Sequence, residues 1–166
     1  MSEDRSHVYQ GAPRGAEDAR VDDKGRLKLP ARFLEYLNAR KENTVFITTF
    51  DPKTKMSLIY PSSEWQYRQE RWAEVARRGA EYETAIEARQ VVADHFGGDS
   101  TVDGQGRVLV PAALRKELGL ENSKVYLRFD HGRFNMVPEA EYLAALNRAL
   151  EGSATGNTLL KSIGEG

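Results

Sequence analysis

Two short stretches of this chain have nearly the same sequence, and this internal repeat constrains the fold more than any other feature. They are V-D-D-K-G-R-L-K-L-P-A at residues 21–31 and V-D-G-Q-G-R-V-L-V-P-A at residues 102–112. The shared Asp, Gly, Arg and Pro all recur at an offset of 81 residues, the difference between positions 22 and 103. A similarity at one fixed spacing indicates duplicated structural units. We therefore expect two copies of one small fold within the 166 residues.

Each stretch has the composition of a tight β-hairpin. Asp22 and Arg26 flank three residues, as do Asp103 and Arg107, and the third of these three is Gly in both copies. In a three-residue hairpin loop the third residue usually has a left-handed backbone, which Gly adopts without steric cost. The flanking Asp and Arg then become cross-strand neighbours of opposite charge. We expect a strand with alternating apolar and polar residues after each turn, and a helix where the proline follows.

On these residues the chain resembles the SpoVT-AbrB superfamily of DNA-binding proteins. Two copies in one chain resemble its MraZ family, bacterial regulators associated with the division and cell-wall gene cluster. The likeness covers residues 15–148, and the pairs Tyr60-Pro61 and Val137-Pro138 extend it at a spacing of 77, from 60 to 137. The resemblance implies an α+β fold in which tandem βαββ repeats, similar to swapped hairpins, form a pseudo-dimeric, β-barrel-like core. The polar residues 1–14 depart from the family pattern, which typically starts almost directly on the first strand.

The order of apolar patterns divides the chain into three parts and two tails. Residues 15–61 are the first predicted repeat and residues 97–148 the second. Residues 62–96 have apolar side chains at helical spacing, and we interpret them as a helical pair inserted between the repeats and belonging to neither. Residues 1–14 and 151–166 contain few large apolar side chains, so we expect both to be flexible.

The charge of the chain gives little support to a nucleic-acid partner. The net charge is −1 and the pI is near 6.3, whereas a DNA-binding domain is commonly basic. Residues 14–41 hold eight Lys or Arg and five Asp or Glu, a local balance of +3. Because this excess is modest, binding would require several copies of the surface to act together.

The resemblance implies a sequence-specific transcriptional regulator that binds double-stranded DNA through the two turns. The major groove admits a two-stranded β-ribbon. A guanidinium that is oriented by a carboxylate keeps other donors for a phosphate or a base edge. The Asp–Arg pairs could also serve only to stiffen the hairpins. The candidate DNA-binding residues are Arg14, Arg20, Asp22, Lys24, Gly25, Arg26, Lys28, Asp103 and Arg107.

The two copies differ in charge around the shared arginine. The first has Lys24 in the loop and Lys28 on the strand, where the second has Gln105 and Leu109. The first copy therefore has three cationic groups and the second has only its arginine. We expect the first copy to form the DNA-binding face, and the outward face of the second copy to serve assembly.

Large apolar residues in the predicted helical pair indicate a structural role and are not typical of a ligand pocket. Their number exceeds what a small surface helix needs, so we expect some of them to be buried between subunits. The resemblance implies a ring-like homo-oligomer on short repeated operator sites. The candidate interface residues are Trp65, Trp72, Tyr82 and Ile86.

No pattern in the sequence indicates catalysis, a cofactor, a metal or a membrane span. There is no Cys, and the three His are scattered. No stretch approaches the ~20 apolar residues of a spanning helix. We expect a cytoplasmic, nucleoid-associated protein with no cofactor and no small-molecule substrate. The alternatives are an antitoxin-like module that binds a partner protein and, with less support, an enzyme that uses Asp22 and Asp103 as paired acids.

Overall fold

The strands of the two repeats interleave in one eight-stranded sheet. The computed structural model of the chain describes residues 9–166. The first repeat supplies β1 (Ala16–Val21), β2 (Arg26–Lys28), β3 (Thr44–Thr48) and β4 (Ser57–Pro61). The second supplies β5 (Gly98–Thr101), β6 (Arg107–Leu109), β7 (Ser123–Asp130) and β8 (Arg133–Pro138). The described α-helices are α1 (Ala31–Ala39), α2 (Ser62–Ala76), α3 (Ala80–Phe96), α4 (Ala112–Leu118) and α5 (Glu139–Ser162).

The strand order is β5-β3-β4-β8-β7-β1-β2-β6, and all neighbours are antiparallel. The first strand of each repeat pairs with the third strand of the other repeat, as β1 with β7 and β5 with β3. The pairs β2–β6 and β4–β8 also join the two repeats. Near the open seam between β5 and β6, the Leu109 N–H donates to Ser100 Oγ at 2.8 Å. This nearly closed, pseudo-dimeric barrel confirms the predicted fold class.

The barrel interior and the helices α1 and α4 form one hydrophobic core. Alternating strand residues point inward, as period-two patterns predict. Phe33 of α1 packs edge-on against Phe134 of β8, with ring centroids 4.9 Å apart. Leu114 and Leu118 of α4 join the same core. The fully buried strand residues of this core are Val21, Leu27, Val45, Ile47, Ile59, Val108, Val125, Leu127, Phe134 and Met136.

A second, smaller core lies where α2 covers the outer face of β3 and β4. Trp65 stacks on Phe46 with centroids 4.4 Å apart, and Trp72 packs edge-on against Trp65 at 5.5 Å. The α3 helix joins this core through Ala93, whose carbonyl accepts a hydrogen bond from Thr48 Oγ1 at 2.6 Å. The α2 helix is therefore fixed to the sheet of the first repeat.

Four of the helices begin directly after a proline in extended conformation, with ψ between 139° and 148°. These prolines are Pro30, Pro61, Pro111 and Pro138. The α2 helix thus follows β4 as α5 follows β8, and the two helices occupy equivalent places in the topology. Of the helices in residues 9–166, only α3 has no counterpart in the other repeat.

Parts of both predicted tails fall within the described residues. The last helix continues to Ser162 and so includes most of residues 151–166. Residues 1–8 lie outside the described residues. Tyr9 donates a hydrogen bond to Glu64 Oε1 at 2.9 Å, and Pro13 is buried. No helix in residues 9–166 is long and apolar enough to cross a membrane.

Candidate nucleic-acid interface

The first turn is built around the carboxylate of Asp22. Its Oδ1 accepts hydrogen bonds from the backbone N–H of Lys24 at 3.0 Å and of Arg26 at 2.8 Å. Its Oδ2 accepts from Arg26 Nε at 2.9 Å. Gly25 has φ +80°, the left-handed conformation predicted for the third loop residue. The loop is therefore closed by one side chain that also orients the arginine.

The second turn repeats this arrangement with the same atoms. Asp103 Oδ1 accepts from the backbone N–H of Gln105 at 2.8 Å and of Arg107 at 2.9 Å. Asp103 Oδ2 accepts from Arg107 Nε at 2.9 Å, and Gly106 has φ +76°. Both predicted turns are confirmed, including the cross-strand Asp–Arg pair.

Both aspartates have a pKa below the usual value for Asp. The main cause is the hydrogen bond from the backbone N–H of Arg26 to Asp22, and of Arg107 to Asp103, which outweighs the opposite effect of desolvation. Hydrogen bonds to the charged form favour ionisation. Each carboxylate is therefore a permanent anchor for its arginine at neutral pH.

Both arginines use Nε for this anchor and keep their terminal nitrogens available. No described residue accepts a hydrogen bond from the Nη atoms of Arg26 or Arg107. Their side chains are 30% and 26% exposed. A guanidinium held in this way presents two terminal nitrogens in a fixed direction, which suits a phosphate or a guanine edge.

The arginines lie on one shared surface, the outer face of the β2–β6 ribbon. In this antiparallel pair Arg26 is opposite Leu109, Leu27 is opposite Val108, and Lys28 is opposite Arg107. The central pair is buried in the barrel core. Because side chains alternate across a strand, the other four side chains point outward together. We call this surface, formed by Arg26, Lys28, Arg107 and Leu109, the ribbon face.

The two turns lie at opposite ends of the ribbon face. The Gly25 carbonyl accepts from the Val110 N–H at 3.0 Å, and the Gly106 carbonyl accepts from the Leu29 N–H at 2.9 Å. Lys24 and Arg26 are therefore at one end, whereas Lys28 is beside Arg107 at the other. The predicted division into a basic first face and a separate second face is wrong, because strand pairing merges the two.

Sequence reasoning missed Arg115, which supports the first turn from α4. Its Nη1 donates to the Lys24 carbonyl at 2.9 Å, and its guanidinium packs against Gly25. At the other end the equivalent residue is Leu34, which packs against Gly106. The only signal for Arg115 in the sequence is that the equivalent position of the first repeat, 81 residues earlier, is a leucine.

Arg14 and Arg20 lie at opposite ends of β1. Arg20 Nη1 donates to Asn122 Oδ1 at 3.2 Å, and the Asn122 N–H donates to the Asp22 carbonyl at 3.0 Å, so Arg20 is beside the first turn. The Arg14 carbonyl accepts from Arg32 Nη1 at 2.9 Å. At about 3.3 Å per residue, Arg14 is on the order of 25 Å from the turn. The structure brings only Arg20 to the ribbon.

The four candidate interface residues fall in three different environments. Trp65 and Trp72 are 5% and 6% exposed because they fill the core under α2, so neither indole is available to another subunit. Ile86 is half-buried against the same core. Tyr82 is 45% exposed on α3. Only Tyr82 of the four has an open side chain.

The structure does not bring Asp22 and Asp103 together as an acid pair. They lie at opposite ends of the ribbon, and each carboxylate is bonded within its own turn. Within residues 9–166 no three His, Cys, Asp or Glu side chains are grouped so that they could hold a metal ion.

Comparisons with known proteins relate the chain to one family. The family model described as "MraZ protein, putative antitoxin-like" matches residues 13–87. The chain is 30% identical over 131 residues to the transcriptional regulator MraZ of Koribacter versatilis, with 78% of this chain and 84% of the relative covered. It is 29% identical over 143 residues to that of Mannheimia succiniciproducens, with 86% and 90% covered. It is 34% identical over 103 residues to that of Acidobacterium capsulatum, with 62% and 66% covered.

Proposed function

The chain belongs to the MraZ family of transcriptional regulators, and from this premise we propose that it binds double-stranded DNA through the ribbon face. The ribbon enters the major groove, and Arg26 and Arg107 contact base edges or phosphates. The sites are short operator repeats near the division and cell-wall genes, so the protein acts in the cytoplasm at the nucleoid.

The observation that carries this proposal is the pair of anchored arginines on one outward-facing ribbon. Two-stranded ribbons fit the major groove. Lys28 adds a third cation on the same face, and Lys24 lies on the exposed tip of the adjoining turn. The whole chain has a net charge of −1, so this local concentration of cations is what attracts a phosphate backbone.

A mobility-shift assay with the DNA upstream of the chain's own gene tests the proposal. We expect the wild type to bind this duplex more tightly than a shuffled duplex of the same composition. Arg26→Ala combined with Arg107→Ala should lose the preference. Lys53→Ala, which removes an exposed cation outside the ribbon, is the matched control and should retain it. Equal affinity of the wild type for both duplexes would contradict the proposal.

Several ribbon faces must act together, because the charge on each is small. We propose that a ring-like homo-oligomer places ribbon faces on successive repeats, since linked sites gain affinity from effective concentration. A duplex with several repeats should therefore bind much more tightly than a duplex with one repeat. Both should weaken as salt rises, because counterions are released on binding. Equal affinity for the two duplexes would refute this arrangement.

The exposed apolar side chains of α5 support self-association through that helix. Leu159 and Leu160 at its end, and Ile163 directly after it, lie within about one turn of each other and are 65%, 44% and 67% exposed, which is costly for a helix surrounded by water. We propose that this part of α5 packs against a second copy of the chain. Changing all three to Gln should reduce the molecular mass in light scattering at micromolar concentration. Val91→Gln, at an exposed position on α3, is the control. A monomeric wild type would contradict the proposed oligomer.

A further inference from the structure

Leu109 is the one apolar side chain of the otherwise cationic ribbon face. It is 51% exposed and lies opposite Arg26 in the ribbon. Arg107 is two residues earlier on the same strand and therefore on the same face. A leucine at this position has no core to fill, and a cation here would attract DNA more strongly.

Leu109 also breaks the symmetry of the ribbon face. The offset of 81 makes Arg26 equivalent to Arg107, and Lys28 equivalent to Leu109. Two identical repeats would therefore present a two-fold symmetric set of two arginines and two lysines. The actual face has one lysine and one leucine, so its two ends present different chemistry to a duplex.

The position of Leu109 is closely held. Its backbone N–H donates to Ser100 Oγ at 2.8 Å, and Ser100 is only 8% exposed. The preceding residue Val108 is buried in the core. A side chain on such a support has a defined place relative to the arginine across the strand, which direct readout of a base requires.

Only one base presents an apolar group in the major groove, namely thymine with its 5-methyl group. We infer that Leu109 contacts a thymine methyl group in the operator, next to the base or phosphate that Arg26 contacts. This contact gives each bound subunit one orientation on the DNA. The inference rests on the proposed binding of DNA by the ribbon face.

The test removes the methyl group from the DNA and the side chain from the protein. Duplexes are first selected from a random library by the wild-type chain. Each thymine of the recovered site is then replaced by deoxyuridine, one position at a time, and each substituted duplex is compared with the original duplex. At one position the wild type should lose about fourfold in affinity, the factor for one buried methyl-sized group. Leu109→Ala should bind the two duplexes equally.

Two further variants keep the outcome interpretable. Leu109→Lys restores the symmetric face and should also bind both duplexes equally, with a steeper dependence on salt. Val91→Ala, which shortens an exposed apolar residue on α3 outside the ribbon face, should retain the fourfold difference. Melting curves show that each variant is folded.

The failures of the two proposals can be told apart. If the wild type selects no duplex, the proposed function fails, and this inference fails with it. If the wild type binds a selected site but no thymine replacement changes its affinity, only the role of Leu109 is overturned. The role of Leu109 is also overturned if the Leu109→Ala variant keeps the difference in affinity between the thymine and deoxyuridine duplexes. It is likewise overturned if this substitution changes only the size of the oligomer.

Discussion

The two turns at the ends of the ribbon have the same internal structure and different surroundings. Asp22 and Asp103 make the same three hydrogen bonds within 0.2 Å. The first turn rests on the guanidinium of Arg115 and the second on the methyl groups of Leu34. A local motif of five residues therefore determines its own geometry, whereas the rest of the fold determines what surrounds it.

Strand pairing also changes how the cations are distributed between the two turns. Counted along the chain, the first copy has three cations and the second has one. Counted in space, Lys24 and Arg26 lie at one end of the ribbon, and Lys28 and Arg107 at the other. Antiparallel pairing places the last residue of β2 beside the first residue of β6. The turn and strand residues of the two repeats therefore supply two cations to each end of the ribbon.

The largest expected effect comes from removing either arginine. Arg26→Ala and Arg107→Ala should each cost about 1–3 kcal/mol per lost contact, and more on a duplex with several repeats. Because each arginine has one lysine of the repeats beside it and is anchored in the same way, we expect similar losses, measured as the operator affinity of folded and assembled protein. If Arg26→Ala abolishes binding while Arg107→Ala binds like the wild type, the first repeat alone forms the DNA-binding face, as the count of cations along the chain predicts.

A second comparison concerns the glycines of the two turns. Gly25→Ala and Gly106→Ala should each lower the free energy of unfolding by about 1–3 kcal/mol, because both require a left-handed backbone. An added Cβ would overlap the Arg115 guanidinium at the first turn and lie 2.8 Å from Leu34 Cδ1 at the second. Urea titrations measure both. Gly104→Ala, at an open loop position, should change stability much less, and an equal loss there would refute the argument.

Arg115→Leu makes the support of the first turn resemble that of the second. The Arg115 side chain is 16% exposed and also pairs with Glu121 at 3.3 Å, so its charge is satisfied within the protein. We expect a loss of roughly 0.5–1.5 kcal/mol in stability from the missing hydrogen bond to the Lys24 carbonyl. Operator affinity should change less than threefold, below the smallest loss for a direct contact. A tenfold loss of affinity would show that Arg115 contacts DNA itself.

The smallest expected effect is the pH dependence of the stability that the two turn carboxylates contribute. Folding lowers the pKa of Asp22 and Asp103, so the ionised carboxylates stabilise the fold above the usual Asp value of about 3.9. This contribution is lost as the pH falls through the lowered folded-state values. Melting temperatures of wild type and Asp22→Asn should therefore differ at pH 7 and converge in acid, with the same profile for Asp103→Asn. Asp23→Asn, which removes an exposed carboxylate from the first turn, is the control and should follow the wild type. A difference that persists at the lowest pH would contradict the assignment.

The sequence alone was sufficient for the two turns and for the starts of the helices that follow a proline. The turn geometry follows from Asp, Gly and Arg at fixed spacing, and the helices begin where prolines end the strands. The repeat predicted two copies of one small fold, and the family resemblance that it carries implied the fold class. These features are local because a turn or a helix start satisfies its backbone hydrogen bonds within a few residues.

Only the tertiary structure decided which strands meet. Strand pairing joins residues about 80 positions apart, such as Lys28 and Arg107, and no local pattern encodes that choice. It merged the two outward faces into one ribbon and brought Arg115 under the first turn. It also buried Trp65 and Trp72 within the chain. The physical reason is that burial and charge density are properties of surfaces, and a surface exists only once distant segments have packed together.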